Sequence, residues 1–111
     1  MSDPLKPAVF HLLLALADRD LHGYALMQAV REQSRGRVPL QTGSFYRHLA
    51  KLLEAGWVDE AAAPAQDDPR RGAYYRLTRR GRDRLLAEQQ RLLDLVDAMK
   101  ALQRPARKRL A

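Results

Sequence analysis

Cysteine is missing from all 111 residues of the chain. Its absence excludes a disulfide framework, a thiolate metal site and a cysteine nucleophile, and fits a reducing compartment. Long hydrophobic runs are missing too. The longest, Ala8 to Ala17, is interrupted by His11 and falls short of the ~20 apolar residues that cross a bilayer. Its N-terminal flank lacks both the basic region and the small-residue cleavage pattern of a signal peptide. A soluble, cytoplasmic chain with no membrane partner is therefore expected. His11, His22 and His48 share no metal-ligand spacing with a carboxylate pair. No glycine-rich phosphate loop is present, and no nucleophile is paired with a base. The expectation is no cofactor, no metal, no catalytic residue and no enzyme. Internal repeats are also lacking.

Positive charge is plentiful. Twenty Lys and Arg against thirteen Asp and Glu leave +7 and a pI near 10.4, with the excess heaviest after Ala55. Net charge informs on partners rather than fold, and this sign favours nucleic acid or an anionic surface. The length suits one domain with a modest core.

The stretch from Gln41 to Val58 organises the rest. Phe45, Leu49, Leu52 and Leu53 recur at three- and four-residue steps and form one apolar helical stripe. Thr42 is expected to cap this helix and Gly56 to end it in the left-handed conformation. The opposite face carries Gly43, Ser44, Arg47, Ala50, Lys51 and Glu54, with Tyr46 and His48 at its flanks. Taken alone, such a face is commoner as a solvated surface. It also suits a DNA major groove, because small residues permit close approach while Arg and Lys meet phosphates or guanine edges.

In chain order, residues 5 to 17 read as a helix apolar nearly all round, which calls for burial on more than one side. His11 within it reads as a hydrogen-bonded core histidine. After the polar break Asp18–Asp20, His22 to Gln33 reads as a second helix with Tyr24, Met27 and Val30 inward. Residues 34 to 39 have loop composition, with Val38 and Leu40 as a candidate edge strand. Beyond the central helix, Trp57 to Ala61 and Ala73 to Thr78 read as two strands. The loop between them ends in Arg70 and Arg71, whose charge Asp67 and Asp68 partly offset. Thr78 is expected to cap a last helix reaching about Gln103, before Pro105. Its start, Arg79 to Arg84, is basic; then Leu85, Leu92, Val96, Met99 and Leu102 recur at near-heptad spacing, with Leu86 and Leu93 beside them.

This order predicts a mainly α fold with a small β-hairpin: a winged helix-turn-helix with a long C-terminal dimerisation helix. Residues 1–78 form the DNA-binding domain, 79–103 the dimerisation helix of the same unit, and 104–111 a basic, disordered tail. A DNA binder follows from the order together with the polar-basic outward face.

Three motifs also resemble the PadR-type transcriptional regulators. His22-Gly-Tyr-Ala-Leu26 is similar to that family's second-helix opening. Gly43-Ser-Phe-Tyr-Arg-His-Leu49, continued by Leu53-Glu-Ala-Gly-Trp-Val58, resembles its recognition helix and first wing strand. Arg70-Arg-Gly-Ala-Tyr-Tyr-Arg-Leu-Thr78 with Gly81 resembles its passage from wing to last helix. The resemblance spans about residues 5 to 100. It implies a cytoplasmic bacterial repressor, dimeric through its first and last helices and bound to a double-stranded operator. It also implies Ser44, Tyr46, Arg47 and Lys51 on the recognition helix; Thr42, at the start of that helix, is a further DNA-binding candidate of this chain. Tyr24 becomes a backbone-contact or packing position, and Arg70, Arg71 and Tyr74 become wing contacts. Val9, Leu13, Leu85, Leu92, Val96 and Met99 are the expected dimer interface. The chain departs from the family pattern at Thr42, where proline is common, and in lacking a tryptophan on the last helix. A pocket that sandwiches flat drugs between such tryptophans is therefore not expected, and Trp57 reads as a core plug. An apolar interface cavity near Leu95 and Met99 stays open, so an effector is unidentified. Two other readings remain: a winged-helix protein-interaction module, or a sequence-indifferent architectural DNA binder.

Overall fold

A computed structural model describes residues 3–103. The elements run α1 (Pro7–Asp18), β1 (Leu21–His22), α2 (Gly23–Gln33), α3 (Thr42–Ala55), β2 (Val58–Ala61), β3 (Tyr74–Leu77) and α4 (Arg79–Met99). A 3-10 turn, Lys100–Gln103, continues α4. The expected disordered tail, 104–111, lies outside the described residues. The fold is mainly α with a small antiparallel sheet, in winged-helix order.

Local chemistry explains where the helices begin and end. Proline at the start of α1 costs no hydrogen bond, since the first N–H groups of a helix lack intrahelical partners. Gly56 closes α3 at φ 76°, and the N–H groups of Gly56 and Trp57 donate to the carbonyls of Leu53 and Leu52. Thr78 caps α4: its hydroxyl accepts from the Gly81 N–H at 3.0 Å and donates to the Gly56 carbonyl at 2.6 Å. One side chain thereby joins the end of α3 to the start of α4. The expected cap at Thr42 does not form. Gln41 occupies the N-cap position without a side-chain hydrogen bond, and Thr42 is already helical. A hydroxyl inside the first turn cannot fold back onto the N–H groups that a cap serves.

The core is built from Leu12, Leu13 and Leu16 of α1, Leu26 and Val30 of α2, Phe45, Leu49 and Leu52 of α3, and Val58 of β2. Each fully buried side chain of this size is worth about 1.5–3 kcal/mol relative to exposure. Trp57 packs against the edge of this core, and the Arg84 guanidinium lies 5.8 Å from its ring centre. Two expectations about α2 and its loop change. Tyr24 is 68% exposed, and Leu26 takes the inward place. Val38 and Leu40 form no strand; they lean on the core as loop residues, and the Ser34 hydroxyl holds the Val38 N–H.

The sheet has three strands in the order β1-β3-β2, not two. Leu21 and His22 pair with Tyr75 and Tyr74, while Val58 to Ala61 pair with Leu77 to Tyr74 on the other edge. A two-residue strand shows no alternation in sequence; the free edge of β3 creates it. α4 then leaves the sheet past Gly81, whose backbone lies directly on the Trp57 carbonyl.

Candidate nucleic-acid interface

Helix α3 divides sharply. Phe45, Leu49 and Leu52 are buried, while Thr42, Gly43, Arg47, Ala50, Lys51 and Glu54 are exposed and Ser44 is half-buried. The burial of one side is what aims the other outward. The Arg47 guanidinium folds back over Gly43, 3.6 Å from where a Cβ would stand, so the small residue gives the arginine room. Burial holds the His48 imidazole below its ordinary pKa, reinforced by the charges of Lys51, Lys6 and Arg47. Lys6 thus joins the positive field of α3 from outside the helix.

Tyr46 is half exposed, with its ring set edge-on to Phe45 at 4.9 Å. Its hydroxyl reaches the first residue of α2, where a Cβ on Gly23 would sit 3.2 Å away. The starts of α2 and α3 therefore meet at a residue without a side chain. Nearby Tyr24 is exposed, and its hydroxyl accepts a 2.7 Å hydrogen bond from Gln28.

In the wing, the loop between β2 and β3 is held by its own charges. Asp68 caps the 3-10 turn Pro69–Arg71 and pairs with the Arg70 guanidinium at 3.0 Å. Asp67 pairs with Arg71 at 2.9 Å. The Arg70 hydrogen bonds hold the Asp68 carboxyl below the usual carboxylate range. These pairs give Arg70 and Arg71 a reason to be there that needs no DNA. The Arg70–Asp68 pair is exposed and contributes only about 0–1 kcal/mol, so a phosphate can compete for Arg70; Asp67 is buried, which ties Arg71 more firmly. Tyr74 does not stand on the wing surface: it is buried in the sheet, edge-on to His22 at 5.4 Å. In a strand whose neighbours cover both edges, it supports the wing.

The basic start of α4 is occupied internally. Arg82 donates to the Ala17 carbonyl at the end of α1, Arg84 donates to the Asp3 carbonyl, and Arg80 lies over Gly56. Arginines at a helix N-terminus are mildly unfavourable, and these contacts compensate for that.

The expected interface residues separate into two groups. Leu92, Val96 and Met99 are exposed, as are Leu86, Leu93, Leu95 and Leu102. Val9 and Leu85 are partly buried against the chain's own core. Leu13 is wholly buried there and cannot meet a second subunit; it lies on the side of α1 that packs inward. Leu14, one residue on, is partly exposed and lines a groove of about 280 Å³ with Phe10, Leu86 and Leu92. The all-round apolar character of α1 concealed which of its leucines faces out. His11 is held by Gln33, whose amide nitrogen lies 3.0 Å from the ring, in keeping with a structural histidine.

A cleft of about 650 Å³ between α2 and the wing was not foreseen. Arg19, Arg70, Arg71, Tyr24, Gln28 and Glu32 line it. Arg19 sits in a short polar break whose composition gives no sign that the wing folds toward it.

Among the described residues, no helix is long and apolar enough to cross a membrane. Among them there is also no cluster of potential metal ligands. No curated protein matches the chain. Solved structures do. A PadR family transcription regulator from Clostridium difficile R20291 is 20% identical with a TM-score of 0.69, covering 89% of this chain and 100% of its own. A transcriptional regulator from Clostridium thermocellum is 19% identical with a TM-score of 0.62, covering 86% and 88%. RosR of H. salinarum is 23% identical with a TM-score of 0.60, covering 95% and 84%. At these identities the likeness establishes the fold. The model of the transcriptional regulator PadR-like family matches residues 12–87, from within α1 to the first turns of α4, and so takes in the paired starts of α2 and α3 and the wing. On that match the chain belongs to the PadR-like family of transcriptional regulators and is a DNA-binding regulator.

Proposed function

We propose that the protein is a cytoplasmic repressor that binds a palindromic operator as a homodimer. The observation that carries the reading is the division of α3: a buried Phe45–Leu49–Leu52 side and an exposed side bearing Arg47 and Lys51. Arg47 and Lys51 are the base and phosphate contacts, with Ser44 and Thr42 near the start of the helix. Tyr24 and Tyr46 offer hydroxyls to the backbone, and Arg70 and Arg71 exchange their aspartates for phosphates. The exposed stripe Leu92–Val96–Met99 of α4 supports the dimer, because a helix of 21 residues, about 31 Å long, extends beyond what its own core covers. Two copies place two α3 helices in successive major grooves, about 34 Å apart. A dimer seated across a promoter excludes other proteins, which is repression in its simplest form. Any effector would enter near α4.

Selection of duplexes from a random pool by the intact chain tests this. A palindrome with half-sites one helical turn apart is the expected result. Enrichment of no sequence would favour an architectural binder, and retention of no duplex would favour a protein-interaction module. The internal pairing of the wing arginines is the one observation on the side of the latter.

A further inference from the structure

The cleft between α2 and the wing contains three arginines that differ in one respect. Arg70 and Arg71 are matched by Asp68 and Asp67. Arg19 is exposed and has no ion-pair or hydrogen-bond partner among the described residues. It follows the last turn of α1 in extended backbone, and its sequence neighbours Asp18 and Asp20 do not line the cleft. The one acidic residue in the lining is Glu32, about two turns along α2 from Tyr24. Tyr24 and Gln28, hydrogen-bonded to each other, form the neighbouring wall and offer neutral polar groups. The cleft is an open groove of about 650 Å³ in which three arginines face a single carboxylate.

Resting on the regulator reading, we propose that this cleft is a backbone track for the duplex and that Arg19 is its principal phosphate contact. Arg70 and Arg71 must release a carboxylate before they accept a phosphate, whereas Arg19 gives up only water. A guanidinium presents several donors in a fixed fork that suits phosphate oxygens. Arg19 then anchors the duplex from the turn between α1 and β1, across the cleft from the wing arginines. It sets the position of the duplex without reading its sequence.

The test uses the full chain and a duplex that the wild-type chain selects from a random pool, alongside the same duplex scrambled. Affinity is measured at several salt concentrations for wild type, Arg19→Ala and Arg35→Gln. The last removes the same charge at the opposite end of α2. Each phosphate contact contributes about 0.9 to the slope of log affinity against log salt. Arg19→Ala should lower the slope by about 0.9 per bound protomer, weaken selected and scrambled duplexes by similar factors and leave the melting temperature unchanged. Arg35→Gln should leave the slope unaltered. An unchanged slope for Arg19→Ala, with wild type still preferring its selected duplex, would overturn the assignment and leave the regulator reading intact. Equal losses for the two variants would also overturn it, as an effect of net charge alone. A wild-type chain that retains no duplex would overturn the regulator reading and this inference with it.

Discussion

Gly81→Ala is the substitution whose effect the structure fixes most tightly. Gly81 lies in the first turn of α4, and its backbone rests on the turn that links α3 to β2. A Cβ added there would stand 2.1 Å from the Trp57 carbonyl oxygen and 2.7 Å from Cδ1 of Leu77. Ordinary contact begins near 3.4 Å, so the two backbones must part by more than 1 Å. The obstructing atom is a carbonyl oxygen that already accepts the Thr78 N–H at 3.0 Å, and it cannot rotate aside as a side chain would. Overpacking of this kind costs about 1–3 kcal/mol, and loosening the Thr78 hydrogen bond costs about 1 kcal/mol more. Alanine returns about 1 kcal/mol through its higher helix propensity. The net destabilisation is about 1–3 kcal/mol. At roughly 4–8 °C per kcal/mol for a domain near this size, the melting temperature should fall by ~4 °C at least. Thermal melts followed by circular dichroism at one fixed protein concentration measure it, since dimerisation would make the midpoint concentration-dependent. A variant as stable as wild type, or more stable, would refute the claim that α4 is docked backbone to backbone at Gly81.

Leu92→Asp places a charge in the groove between α1 and α4 and on the exposed stripe. It should convert a species of twice 12.7 kDa into a monomer in sedimentation at micromolar concentration, with helical content retained; a wild-type monomer under those conditions would contradict the dimer. Glu88 is buried and receives two hydrogen bonds from Arg91, at 3.0 and 2.6 Å, and one from the Leu5 N–H. The Arg91 bonds hold its carboxyl below the usual glutamate range against the opposing effect of burial. A depressed carboxylate contributes stability above its unfolded pKa, about 4.3, and loses it as pH falls through the folded value. Glu88→Gln should therefore lower the melting temperature at pH 7 and do so progressively less below pH 4. An equal loss at both pH values would show that ionisation of Glu88 is not involved.

The helices were legible because each carries a periodic stripe and a recognisable stop: Phe45, Leu49 and Leu52 with Gly56, or Thr78 ahead of α4. Periodicity gave the buried side of α3, and the exposed side followed from it. Three kinds of feature escaped. β1 has only two residues, and it exists because β3 has a second edge. Leu13 and Leu14 are equally apolar, so only the packing of α1 against α2 and α4 decides which leucine is hidden. Tyr74 was expected as a wing contact from the family resemblance, yet it is buried in the sheet where β3 pairs with β1. The wing arginines mark a fourth limit: the sequence placed Asp67 and Asp68 nearby but did not reveal the two ion pairs that occupy Arg70 and Arg71. Arg19, four residues before the start of α2, became visible only when the wing folded toward it.

The central claim is that the exposed side of α3 reads DNA, and Arg47 tests it most directly. A duplex selected by the wild-type chain and a scrambled control are titrated with wild type and Arg47→Ala under one salt condition. If Arg47 holds a base edge bidentately, the variant should lose about 1–3 kcal/mol on the selected duplex and much less on the scrambled one, and it should tolerate substitution at the contacted base pair. Equal losses on both duplexes would reduce Arg47 to a phosphate contact, and no loss on either would contradict the assignment of α3 as the recognition helix.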